Sequence, residues 1–442
     1  MTTQTITPTT MPPKKREIFG WAMYDFANSS YTTIVISILY SAFFVSYLVP
    51  EDAKWHDVYW SIAMNISTLI AMVAGPLAGI LCDYSGRKKV YLGITTIICA
   101  LFTMLLFFVQ PGQIWFGILL IVISNTAWML GEVFCASFLT DLADNKTMSK
   151  ISGIGWGIGY VGGLTSLIVV LFGIVTADPS VDPDAYVRQH QWAMVFTGIF
   201  FVAAAIPTFL LVKERSVPKP GFETLQWRKL FGTAAKQMRH SWKIVKDLPV
   251  LFEFFLVFTL YSAAMAIIVQ FVGIYIDAEL QMSQGQKTTI FLALQVSAMV
   301  GAIAFGYLER FLGPKNTIMA TLIWWMVGVL GIYFLIPLSN MVGMTPQNFF
   351  TIIGIIAGAG LGATQSSSRA VVGLLSPKAH ASELFGFWGL FVRLSTIIGS
   401  MSFAIVSDTM GRQTALLVIL MFFFLGAVAL SRLNIDEGII SH

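Results

Sequence analysis

Hydrophobic residues do not alternate with polar ones along this chain. They come in long runs broken by short polar turns. A bilayer hydrocarbon core about 30 Å thick is crossed by roughly 20 helical residues. On that ruler twelve stretches qualify as spans, approximately 18–48, 58–82, 89–109, 113–140, 152–175, 192–212, 249–275, 287–308, 316–337, 348–372, 383–407 and 413–432. The expected fold class is an all-α membrane protein with twelve transmembrane helices. The first run carries the sharpest local question. Its segment GWAMYDFANSSYTT, residues 20–33, holds Asp25 about a turn inside, with Asn28, Ser29 and Thr32 behind it. Steps of three, one and three place these four on one helix face.

Lys and Arg concentrate on the cytoplasmic side of membrane proteins. With the N-terminus inside, 21 of them fall on the inner side and four (Lys54, Arg188, Lys287 and Arg412) on the outer, while Arg369 and Arg393 lie within spans. Both termini are therefore expected in the cytoplasm. The longest connection, 213–247, holds nine Lys and Arg together with Pro218, Pro220 and Gly221, and it separates six spans from six. Its stretch from Trp227 to Val245 reads either as an amphipathic helix on the inner membrane surface or as a solvated linker. The resulting organisation is a tail over 1–17, a six-helix bundle over 18–212, the linker over 213–247, a second bundle over 248–432 and a tail over 433–442.

Composition narrows the class further. Of 442 residues, 56% are hydrophobic and 11% charged, with a mean hydropathy of +0.76. Soluble domains carry about a quarter charged residues, so a multi-pass membrane protein is indicated. Cys82, Cys99 and Cys135 lie in or at the ends of spans and give no disulfide or zinc pattern. His56, His190, His240, His380 and His442 read as loop and tail residues. No metal site, cofactor or catalytic residue is expected. A Walker loop and a Ser–His grouping are absent from the sequence, which argues against an ATP-driven pump and a membrane hydrolase. The polar N-terminal tail ends in Lys14, Lys15 and Arg16 and reads as a cytoplasmic anchor, not a cleaved signal. The expected partners are the lipid bilayer and a small-molecule substrate, with no nucleic acid and a monomer as the functional unit.

The two halves share a loop. GILCDYSGRKKVYL (79–92) and GYLERFLGPKNTIM (306–319) each follow the second span of their half, matching Gly79 with Gly306, Gly86 with Gly313 and Lys88 with Lys315. Paired loops of this kind are what duplicated transporter halves show. The first resembles the Gly-x-x-x-Asp-x-x-Gly-Arg-Lys/Arg signature of the major facilitator superfamily, keeping Gly79, Asp83, Gly86, Arg87 and Lys88. That resemblance implies two pseudo-symmetric six-helix bundles that rock about a central cavity, with Asp83 pairing with an Arg or with a neighbouring helix N-terminus to latch one conformation. SGIGWGIGYVGG (152–163) is similar to a glycine-rich fifth helix of the superfamily, in which Gly155, Gly159 and Gly163 would admit a close neighbour. Trp21, Tyr24, Asp25, Ala27, Asn28 and Ser29, the glycine-rich stretch, and GLGATQSSSRAVVGLLSP (360–377) with Phe385 and Gly386 resemble the vacuole-effluxer-like branch. That branch includes fungal vacuolar amino-acid effluxers and bacterial relatives. Its seventh span usually carries an acid after an aromatic–polar pair. Here Tyr261 and Ser262 are followed by Ala263 and Ala264, so that role does not carry over.

Charges inside spans must face a cavity or a partner, because lipid exposure costs several kcal/mol. In the major facilitator arrangement, helices one, four, seven and ten line the cavity. Asp25 and Asn28 lie on the first, Glu132 on the fourth, and Gln365 and Arg369 on the tenth. These five are the candidate substrate or coupling residues. Arg369 would clamp a carboxylate through paired donors, with Glu132 or Asp25 facing an ammonium; the alternative is that they pair among themselves as a gate. Asp25 likewise reads as a cation or proton site or as a structural partner, and Arg393 reads as an interhelical partner. The expected function is secondary active transport of a small polar or zwitterionic solute, an amino acid or related metabolite, with proton coupling open. Alternatives are a siderophore, a drug-like compound or another metabolite, or a non-transporting receptor of the same fold. In a bacterium the location would be the plasma (inner) membrane.

Overall fold

The computed structural model describes residues 14–50, 56–178, 181–218, 242–278, 280–282 and 284–439. Among them there is no strand. Among the same residues twelve helices are long and apolar enough to cross a membrane: Lys15–Leu48, Val58–Ser85, Lys88–Phe108, Ile114–Leu142, Met148–Ile174, Pro183–Leu211, Pro249–Gln270, Thr289–Leu312, Pro314–Tyr333, Pro346–Leu375, Lys378–Met410 and Arg412–Arg432. They are numbered below as spans one to twelve. The tail up to residue 13 and the stretch 227–241, with its expected surface helix, lie outside the described residues; residues 242–247 are helical.

Two spans differ from the sequence reading in ways that matter. The first contains two wide turns, Thr32–Ile38 and Phe44–Leu48, in which backbone bonds run from i to i+5. Just before them, the hydroxyls of Ser29, Ser30 and Thr32 donate to the carbonyls of Asp25, Ala27 and Ser29. Such back-bonding competes with the regular ladder and loosens the helix there. The sixth span begins at Pro183 rather than near 192, because Asp182 caps it and Pro183 occupies the first turn. His190 is therefore not a loop residue. It is buried in that helix, 4.5 Å from the Phe43 ring and 4.1 Å from that of Tyr186.

Large buried side chains fall into one cluster drawn chiefly from the first six spans and another chiefly from the last six. The clusters interlock where Ala370 and Leu374 of span ten join the first, and Val133 and Ala136 of span four join the second. Span two packs on span eleven and span five on span eight. Small residues set these approaches. A Cβ on Gly386 would lie 2.7 Å from the Gly75 carbonyl, and one on Gly153 would lie 2.5 Å from that of Ala302. Leu210, Phe172 and Val327 are among the large apolar side chains left facing outward, as lipid contact requires.

The two halves repeat their joints on the side where span one begins and span twelve ends, the terminal side. Gly86 and Gly313 turn with φ of +62° and +77°, a left-handed conformation that glycine adopts without strain. Lys89 Nζ donates to the carbonyls of Phe209 (2.7 Å) and Val212 (2.8 Å) where span six ends. Lys315 Nζ donates to the Ser431 carbonyl (2.7 Å) where span twelve ends. A cation at a helix C-terminus satisfies carbonyls that have no intrahelical partner. The structural counterpart of Lys315 is thus Lys89, not the sequence-matched Lys88, which is buried in an ion pair with Asp141 (2.8 Å).

Candidate functional site

Arg369 is the centre of the charged constellation. Its Nη1 donates to Asp25 Oδ2 (2.9 Å), its Nε to Ser152 Oγ (3.1 Å) and its Nη2 to the Ser152 carbonyl (2.9 Å). The rings of Trp21 and Trp156 flank the guanidinium at 4.8 and 5.5 Å. Both charged groups are buried. A buried ion pair persists only when further hydrogen bonds complete it, and Ser152 supplies them. The pair joins span one to span ten, and Ser152 adds span five.

The glycines of span five make room for this pair. A Cβ on Gly155 would lie 2.5 Å from Asp25 Oδ2 and 2.7 Å from Arg369 Nη2. One on Gly159 would meet Ser29 Oγ at 3.1 Å, and one on Gly163 would meet Thr33 Oγ1 at 2.7 Å. The remaining expected residues lie beyond the pair, away from the terminal side. Asn28 donates its amide to Glu132 Oε1, and Tyr160 donates its hydroxyl to Gln365 Oε1 (3.0 Å). Asp25 and Glu132 thus differ: the first is ion-paired, while the second is held by a neutral amide.

Nearer the terminal surface a second set of contacts joins the halves. Asp83 accepts from the backbone N–H groups of Ser382 (3.1 Å) and Glu383 (2.8 Å), in the first turn of the helix of span eleven. A carboxylate there meets unpaired amides and the positive end of the helix dipole. Of the two partners that the resemblance allowed, the helix N-terminus is the one present. Gly79 stands against the Ser382 backbone, where any Cβ would clash. Arg87 is exposed. Outside the spans, the Thr147 hydroxyl bond and the neighbouring backbone amides hold the Asp144 carboxyl below the usual carboxylate range. Burial raises that of Glu214, despite its bond from the Lys89 backbone N–H (2.9 Å).

Sequence reasoning missed Glu309 as a functional candidate. It is buried in span eight, accepting from Ser149 Oγ of span five and from Ser367 Oγ of span ten (2.8 Å). Gly306, one turn before it, stands against the Ser149 carbonyl and Gly153. Spans eight and five stand in the second half's joint where spans two and eleven stand in the first. The available signal was the acid one position ahead of the Asp83 match in the repeated loop. Arg393 of span eleven faces the charge of Glu132 on span four, and among the described residues no hydrogen bond or ion pair reaches its guanidinium.

Comparison with known proteins gives the family and the fold. The profile described as "Vacuole effluxer Atg22 like" matches residues 53–441. The "Uncharacterized MFS-type transporter YxiO" of Bacillus subtilis (strain 168) is 26% identical over 417 residues, covering 93% of each chain. "Autophagy-related protein 22" of Kluyveromyces lactis is 22% identical over 410 residues, covering 86% of this chain and 79% of its own. Among solved structures, a bacterial homologue of the iron transporter ferroportin in an outward-facing state superposes with a TM-score of 0.69 at 13% identity, covering 94% of this chain and 98% of its own. The proton:xylose symporter XylE also gives 0.69, at 10% identity and 93% coverage of each.

Proposed function

This chain belongs to the vacuole effluxer Atg22-like family and has the major facilitator fold, and from that premise we propose a secondary active transporter for a small zwitterionic solute, an amino acid or a close relative. That it is a multi-pass membrane transporter and not an enzyme follows from family and fold. The mechanism proposed is alternating access. The observation that carries it is the buried Asp25–Arg369 pair, which ties the first half to the second on one side of the membrane only in combination with neighbouring contacts from Asp83 and Glu309. These are contacts that must break for that side to open. The Lys and Arg bias supports reading the terminal side as cytoplasmic, and on that reading these contacts close the transporter toward the cytoplasm. In a bacterium the membrane would be the plasma membrane.

Within this reading Arg369 and Asp25 serve the gate. Glu132 then becomes the group that meets positive charge, either the solute's ammonium or a coupling proton. A carboxylate bonded only by a neutral amide can exchange its cation without dismantling an ion pair. The test is uptake of a radiolabelled amino-acid mixture into proteoliposomes, with and without a proton gradient. Saturable uptake above empty vesicles is expected, lost in Glu132→Gln when driven uphill by protons. Uptake of sugars or siderophores in place of amino acids would overturn the solute class, and binding without uptake would overturn transport itself.

A further inference from the structure

Span eleven faces span four across the centre of the molecule, and among the described residues no hydrogen bond or ion pair reaches the guanidinium of its Arg393; the charge it faces there is that of Glu132. Gly389 and Val133 mark the contact, since a Cβ on Gly389 would lie 3.5 Å from Val133 Cγ2. The two helices run in opposite directions. A rise of 1.5 Å per residue therefore places Arg393 about 6 Å, and Trp128 about 7.5 Å, beyond this contact, away from the terminal side. Both sit at one depth, with Glu132 beside the contact and within electrostatic reach of Arg393. Their charges do not close into an ion pair. Among the described residues, the indole N–H groups of Trp128 and Trp388 and the hydroxyl of Thr126 are also buried without a hydrogen-bond partner, and Trp128 lies one turn from Glu132 on the same helix face. Trp128 is fixed by stacking on Tyr31 (6.1 Å), and Trp388 by Phe258 (5.7 Å) and Phe385 (5.8 Å).

The unmet groups share one chemistry. A guanidinium and an indole offer only donors, so what they lack is an acceptor. A guanidinium inside a membrane protein without hydrogen-bond acceptors is costly. A carboxylate answers both needs, with two oxygens that match the planar fork. We propose that Arg393, with the indole N–H of Trp128, is the receptor for the carboxylate of the transported solute, and that Glu132 faces its ammonium. This rests on the zwitterionic-solute reading and sharpens it. Arg369, engaged by Asp25 and Ser152, stays with the gate.

The experiment is a thermal-shift titration of the purified full-length chain with three probe mixtures: the standard L-amino acids, the same set as α-carboxamides, and the same set lacking the α-amino group. The wild type is expected to be stabilised by the amino acids and not by the carboxamides. Arg393→Gln and Arg393→Lys should raise the half-saturating concentration at least tenfold. Trp128→Phe, which keeps an aromatic ring and removes the indole donor, should raise it several-fold, with circular dichroism and the unliganded melting temperature checking that the variant is folded. Equal response of the wild type to the carboxamides would overturn the receptor, as would unchanged half-saturation in both Arg393 variants. Recovery of binding in Arg393→Gln combined with Glu132→Gln would also overturn it, since that marks a structural pair. If the wild type responds to none of the mixtures, the solute class itself is wrong, and the receptor falls with it.

Discussion

At Arg369 three kinds of contact converge on one side chain: a carboxylate, a serine offering both hydroxyl and carbonyl, and two indole faces. Removing one partner of a buried pair leaves an uncompensated charge, which costs about 3–5 kcal/mol. Lys at this position keeps the charge but reaches one acceptor where the guanidinium spans three. Arg369→Lys should therefore open the gate partially and Arg369→Ala further, while solute binding at Glu132 survives. Gly155 allows a cleaner test, because its substitution adds one carbon and no charge. Ala gains about 1 kcal/mol of helix propensity over Gly. The added Cβ would be 2.5 Å from Asp25 Oδ2 and 2.7 Å from Arg369 Nη2, and overpacking of this kind costs about 1–3 kcal/mol. Neither side chain can swing away without breaking its bonds, so the clash wins. Gly155→Ala should reduce transport at least tenfold with near-wild-type expression, measured in proteoliposomes; full activity would mean that the pair has slack. The sequence exposed these charges because each interrupts an apolar run. It could not show that Arg369 takes Asp25 rather than Glu132, since that depends on which helices abut.

Among elements, the repeated loops and the helices they touch form two related joints. Asp83 binds the start of span eleven through backbone amides, and Glu309 binds the start of span five through a hydroxyl. Asparagine at position 83 still accepts a hydrogen bond but loses the charge that the helix dipole favours, a loss of about 0.3–1 kcal/mol, rising to ~2 where partly buried. Glutamine at 309 keeps the acceptor and adds a donor, with no cation to lose. Asp83→Asn should thus slow transport several-fold with equilibrium binding nearly unchanged, and Glu309→Gln should do so less. Counterflow rates beside binding isotherms separate the two quantities. Loss of binding in a folded Asp83→Asn protein would contradict a purely conformational role. The first joint was legible from its spacing. The second was hidden because its acid sits one position off the match, and a buried acid with serine partners leaves no charge pattern in the sequence.

For the molecule as a whole, twelve spans were readable because hydrocarbon thickness dictates run length, and the boundary that moved most was that at Pro183, where a cap and a proline overrode hydropathy. The wide turns of span one were not readable, since hydroxyl back-bonding leaves no periodic trace. The central claim is that Asp25 and Arg369 hold the terminal side shut. It is tested most directly without any substrate, by pulsed electron–electron distance measurement between spin labels at Asn145→Cys and Ala379→Cys. These exposed positions lie on the terminal side of opposite halves, Asn145 in the loop between spans four and five and Ala379 in the short turn of helix that opens span eleven, and Cys82, Cys99 and Cys135 would be replaced by Ala. A shift from almost wholly closed to almost wholly open needs about 5.5 kcal/mol, so loss of a 3–5 kcal/mol contact should make the open state plainly visible. The account predicts a single short distance in the parent and a second, longer population in Arg369→Ala and Asp25→Asn. Superimposable distributions in all three proteins would contradict it.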